Sequence, residues 1–114
     1  MVNKAEEEKK LRKKKDKEWS IEVKTKFNNK CAFCEAIRYI QAHHIIPREI
    51  KEFRYEILNG IALCPKNHKW GFESAHRNPL LFFMKMEELY PEQLKRLKMK
   101  YKKYLENEKQ NNIK

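Results

Sequence analysis

Apolar positions are sparse at both ends of this chain and gather in its middle. Residues 3–18 are rich in Lys and Glu and hold no Pro or Gly, a pattern open to a solvated helix or to disorder. From Glu18 the pattern changes. Trp19, Val23 and Phe27 recur every four residues, with Ile21 nearby, and predict one apolar helical face ending near Asn28-Asn29. Cys31-Ala-Phe-Cys34 reads as a tight knuckle. Ile37 to Ala42 is β-branched and aromatic, which predicts a strand running into His43-His44 until Pro47 breaks it. Residues 48–57 read as a loop with a short helical turn, Asn59-Gly60 as a turn, and Ile61 to Leu63 as a second strand. Cys64-Pro65 predicts a helix start with His68 on its first turns. After a connection from Gly71 to Pro79, Leu80 to Tyr90 predicts an apolar helix stopped by Pro91. A last helix then puts Leu94, Leu97, Tyr101, Tyr104 and Leu105 on one face, with a frayed tail after Glu108.

At 114 residues there is room for one small domain with helical extensions. We expect an arm over 1–16, helical or disordered, a folded unit over 17–90 and a basic helix and tail over 91–114. A core of that size is marginal, so a structural metal or packing by the terminal helices would be a useful support.

The net charge is +11. Residues 4–18 carry eight Lys/Arg against five acids, residues 91–114 eight against three, and the middle eleven against eight. Basic arms around a more balanced centre suit a polyanion, because each phosphate neutralised releases counterions. A solvated charged helix surface accounts for the same counts. Lys/Glu blocks stand where a signal peptide would need an apolar run, and no stretch nears the ~20 apolar residues of a membrane span. Three cysteines make a disulfide framework a poor fit. We therefore expect a cytoplasmic, unsecreted protein that uses Cys for metal or packing.

The histidines carry the chemistry. His43 and His44 adjoin, Asn59 follows fifteen residues later, and His68 nine beyond that. Neutral imidazole binds divalent metals and accepts a proton near neutral pH. Neighbours on a strand point to opposite faces, so His43 and His44 cannot share one role: one can ligate a metal while the other faces a substrate.

These residues, Cys31-x-x-Cys34, Ala42-His43-His44-Ile-Ile-Pro47, Leu58-Asn59-Gly-Ile-Ala-Leu-Cys64 and His68, resemble the HNH endonuclease family over roughly residues 17–90. The likeness is to the small phage and bacterial members with a zinc knuckle. It implies an α+β fold with a ββα-metal (His-Me finger) core flanked by N- and C-terminal helices. It also implies metal-dependent hydrolysis of DNA phosphodiester bonds, by nicking or double-strand cutting in a bacterial or phage-infected cell. His44 matches the general base that deprotonates water, and His43 and His68 match ligands of a divalent cation (Mg²⁺, Mn²⁺, Ni²⁺ or Zn²⁺). Asn59 matches the asparagine that ties down the loop and orients the base.

The chain departs from the family pattern twice. A further histidine is common four residues after the His68 position, where this chain has Phe72; His76, eight residues on, either completes the metal shell, contacts the phosphate or is merely exposed. Structural zinc usually takes four ligands from two knuckles, and here Asn67 replaces the fourth Cys beside Cys31, Cys34 and Cys64. That site would hold zinc weakly, recruit another ligand or water, or stand empty. Arg48, Arg54, Arg77 and Lys69 are the expected DNA contacts. Trp70, Phe72, Phe82 and Phe83 read as packing rather than as base-stacking platforms. Two other functions stay open: a non-catalytic nucleic-acid-binding zinc-knuckle module, and a subunit that acts only with a protein partner in a DNA-processing complex.

Overall fold

Asn3 opens the first helix by accepting the Glu6 amide on its side-chain oxygen (2.8 Å), and no residue of the Lys/Glu run breaks the turns after this cap. In the computed structural model, which describes residues 3–112, α1 runs unbroken over Lys4–Lys26. It crosses the expected boundary at residue 16, so the charged arm and the apolar face of Trp19 and Val23 form one rigid element. Ile21 lies outside that face, half exposed to solvent. Asn28 and Asn29, both left-handed (φ 57° and 56°), end the helix where the sequence places its stop.

The expected strand from Ile37 is displaced. Tyr39 takes a left-handed φ of 56°, which breaks an extended run, and β1 covers only Gln41–His44. It pairs antiparallel with β2, Gly60–Leu63, with His43 opposite Ile61 and His44 opposite Gly60. Gly60 corrects a second expectation. It is extended (φ −117°) rather than in a turn, and a Cβ there would stand 2.3 Å from a Val23 methyl and 2.9 Å from the Trp19 ring. Glycine is needed for close approach: it lets α1 lie directly on the hairpin.

The helix expected from Cys64 is reduced to one π turn, Lys66–Trp70, closed by the Gly71 amide on the Lys66 carbonyl (2.9 Å). The chain then doubles back. The amides of Ala75 and His76 bond the carbonyls of Asn67 (2.8 Å) and His68 (3.1 Å). Helix α2, Pro79–Leu89, and helix α3, Pro91–Asn112, complete the molecule. Helix α3 continues past Glu108, where fraying was expected; Met1, Val2, Ile113 and Lys114 of the expected arm and tail lie outside the described residues.

Ile61 and Leu63 of β2 pack with Phe82 and Met86 of α2 and Leu94 and Leu97 of α3 in one core. Leu105 stays half exposed, so the buried stripe of α3 is shorter than its sequence suggests. Tyr101 and Tyr104 meet Phe53 edge to face, and Gln93 donates to the carbonyls of Leu58 and Gly60. Helix α3 thus braces the loop between the strands. Among the described residues helix outweighs strand by 61% to 7%: the class is α+β, with a small hairpin set into a helical frame. Among the described residues no helix is long and apolar enough to cross a membrane.

Candidate functional site

Strand alternation sends His43 and His44 apart. His43 faces the doubled-back loop, where it meets His68 and His76, with ring centroids 4.9 and 5.1 Å away. One ligand atom from each of the three lies within 4.8 Å of the others. Burial, with the neighbouring imidazoles, pushes His43 down to about 3 and His68 down to about 4, so both are neutral at pH 7 with a lone pair available.

The tautomer of His68 is fixed by its partner. Gln41 Oε1 accepts from Nδ1–H at 2.6 Å, which leaves the Nε2 lone pair facing His76 Nε2 at 3.0 Å. Two nitrogens bound to one cation at ~2.1 Å stand about 3.0 Å apart at an octahedral right angle and about 3.4 Å apart at the tetrahedral angle. A ring whose second nitrogen donates to an oxygen is also the usual arrangement of a metal-bound histidine. The trio therefore fits a divalent cation in donor type and spacing, and His43 and His68 fit it in protonation. His76 joins it only because the loop reverses after Gly71; Phe72, at the family's expected spacing, is 74% exposed.

His44 has a different setting. Its Nε2 lies 2.9 Å from the Arg54 carbonyl, which can only accept, so Nε2 carries the hydrogen and Nδ1 keeps its lone pair. The ring stacks on Trp19 at 3.8 Å and 6°. Burial lowers the His44 pKa, against the opposing effect of the Arg54 carbonyl, so the ring favours its neutral form. The carbonyl is itself anchored. Asp16 of α1 takes both Nε and Nη2 of Arg54, at 2.9 and 2.8 Å, and that bidentate bond holds the Asp16 carboxyl below its usual range.

Asn59 is wholly buried and spends its amide on the loop between the strands. Its Oδ1 accepts from the Ile46 amide, and its Nδ2 donates to the carbonyls of Ile46 (2.9 Å) and Phe53 (3.0 Å). Phe53 directly precedes Arg54. One side chain thus fixes both the exit of β1 and the segment that seats His44.

His43, His44, His68 and His76 line one cleft of about 550 Å³, with Arg48 and Lys69 at its edge. The other two expected DNA contacts differ. Arg54 is corrected from phosphate grip to structural clamp, because Asp16 occupies its guanidinium; Arg77 donates to the Trp70 carbonyl (3.0 Å), outside the cleft lining. Trp70 and Phe72, read as packing, are exposed, and Phe83 is 40% exposed; Phe82 alone is buried as expected. Gln41, Trp19 and Asp16 are site residues that the motif did not mark. The alternation that orients His43 also puts Gln41 on its face, and that signal was available in the sequence.

Cys31, Cys34 and Cys64 sit together just past the end of β2 and could hold a metal ion such as zinc. Sγ of Cys34 and Cys64 are 3.6 Å apart, near the roughly 3.8 Å between thiolates on a tetrahedral zinc. Asn67 Nδ2 donates to Cys31 Sγ (3.4 Å) and Cys64 Sγ (3.3 Å), so where the fourth Cys would stand an amide N–H faces the sulfurs.

Comparison of the chain with family models, with curated proteins and with solved structures gives no match.

Proposed function

We propose that this chain is a metal-dependent endonuclease of the HNH type, hydrolysing DNA phosphodiester bonds around a ββα-metal core made of β1, β2 and the π turn. The observation that carries the reading is the division of labour across one peptide bond. His43 belongs to a three-imidazole cluster, while His44, which lines the same cleft, commits Nε2 to the Arg54 carbonyl and has no hydrogen-bond partner for Nδ1 among the described residues. A binding module has no use for that division.

Arg48 and Lys69 draw the DNA backbone to the cleft edge and hold it by charge. His44 Nδ1 accepts a proton from a water aimed at phosphorus, while Arg54 and Trp19 keep the ring from turning. As the new P–O bond forms, the bond from phosphorus to the departing sugar oxygen breaks; that oxygen takes a proton from solvent water, leaving a phosphate on one fragment and a hydroxyl on the other. A divalent cation on His43, His68 and His76 would act as Lewis acid toward the phosphate and its leaving oxygen. Gln41 and Asn59 touch no reacting atom; they position His68 and the loop behind His44.

The test is plasmid cleavage by metal-stripped protein with each cation restored. Three imidazoles suit Zn²⁺, Ni²⁺ or Mn²⁺ better than Mg²⁺, which prefers oxygen. Cutting is expected at lower concentrations of the first group and should stop on chelation. Cleavage indifferent to chelator, or absent with all four ions, overturns the reading.

The thiol cluster fits a second, structural zinc held by three cysteines, with the Asn67 amide hydrogen-bonded to two of the sulfurs. Replacing Asn67→Cys restores a four-thiolate set. We expect zinc to survive at least about tenfold more competing chelator in that variant, with a higher melting temperature in zinc. Equal retention by both proteins would mean the fourth corner takes no part.

A further inference from the structure

Trp70 and Phe72 were expected to pack and do not. They are 65% and 74% exposed, on a turn bonded at several points. The Gly71 amide holds Lys66, the Ser74 hydroxyl donates to the Lys69 carbonyl (3.0 Å), and Arg77 donates to the Trp70 carbonyl (3.0 Å). Two large rings are therefore held out into water by a fixed scaffold. Gly71 between them cannot be replaced freely, since a Cβ there would stand 2.5 Å from the Lys66 carbonyl oxygen.

The surroundings name the occupant. Trp70 follows Lys69 and His68, both of which line the histidine cleft, and Phe83 of α2 lines the same cleft. Between residues 66 and 78 the cations are Lys66, Lys69 and Arg77, all exposed, and the single acid, Glu73, is bridged to Lys85 at 2.9 Å. Flat apolar rings among unopposed cations, one and three residues beyond the Lys69 that lines a cleft read as binding a phosphodiester, match a strand whose bases are free to stack. A paired duplex hides its base faces and offers such rings little.

We propose that Trp70 and Phe72 form a stacking platform for unpaired bases, and that the preferred substrate is single-stranded DNA or DNA with an unpaired segment beside the cut. This rests on the nuclease reading for the position of the strand, but its test does not need cleavage.

Full-length protein in chelator is titrated with one oligonucleotide, single-stranded and as a duplex. The single strand is expected to bind more tightly and to quench the emission of Trp70. Trp19, 4% exposed beneath His44, should contribute little to that change, so it disappears in Trp70→Ala. Each of Trp70→Ala and Phe72→Ala should weaken single-strand binding roughly tenfold, about 1.4 kcal/mol, with duplex binding changed less than about twofold and melting unaltered. Equal losses on both forms, no loss on either, or a lowered melting temperature overturns the platform. So does a result in which the substitutions alter only self-association, which would make the rings a protein contact. Metal-dependent cutting that ignores both rings rejects the platform and keeps the nuclease. Intact single-strand preference without cutting in any metal does the reverse.

Discussion

His44→Ala is expected to lower metal-dependent cleavage by about 10²- to 10⁴-fold, the range a positioned general base supplies. DNA affinity measured in chelator should be unchanged, because no charge is removed: burial keeps the ring in its neutral form. Stability should fall by about 1–3 kcal/mol, since alanine leaves the Arg54 carbonyl without its donor and the Trp19 ring without its stacked partner. The size of the rate loss comes from the seat of the ring. A histidine free to rotate would offer either nitrogen and hold a water poorly. Here Nε2–H is committed, Trp19 covers one ring face, and Nδ1 is the one position left to take a proton. Alanine leaves a gap the size of an imidazole between Trp19 and the cleft, so added free imidazole should restore part of the rate in His44→Ala and none in His43→Ala. That rescue separates proton transfer from a structural role. Cleavage by His44→Ala within a few-fold of the parent protein would remove the base from the mechanism.

What could be read from the chain divides along a physical line. Patterns set by local geometry were legible: the apolar spacing of Trp19 and Val23, the stop at Asn28-Asn29, the helix over Leu80–Tyr90, and the opposite facing of His43 and His44. Features made by distant partners were not. Asp16 meets Arg54 across 38 positions, and nothing local separates a clamped arginine from one free to grip phosphate. Trp19 reads as core from its periodicity. It is core, yet its ring face serves His44 and its Nε1 donates to the Glu56 carbonyl (2.8 Å). His76 was undecided because its place depends on a reversal after Gly71 that no spacing rule covers. Gly60 and Tyr39 misled for the same reason: a residue type was taken for a conformation, and in the fold one serves close packing and the other breaks a strand.

Asn59→Ala should be the most damaging single change to the fold. The side chain is wholly buried and engages three backbone groups, the Ile46 amide and the carbonyls of Ile46 and Phe53. Alanine fills neither the space nor the bonds. Each polar group left buried without a partner costs ~1–3 kcal/mol, so a combined loss of roughly 3–5 kcal/mol is expected after partial relaxation. That is a large share of the ~5–15 kcal/mol that holds a small domain together, and corresponds to a melting temperature lower by more than about 10 °C. Asn59→Asp separates the two halves of the amide. Its oxygen can still accept from the Ile46 amide, but a second oxygen replaces the donor and faces the carbonyls of Ile46 and Phe53. Aspartate should therefore fare no better than alanine near neutral pH, and should recover in mild acid, where the protonated carboxyl can donate again. The loop from Ile45 to Leu58 should become sensitive to limited proteolysis in both variants before the helices do, since Asn59 fastens that loop and not α2 or α3. Cleavage of DNA should fall further than the folded fraction alone accounts for, because the Arg54 carbonyl behind His44 loses its support. A melting temperature within about 3 °C of the parent for both substitutions would mean the loop is held by other contacts, and the positioning role of Asn59 would fall with it.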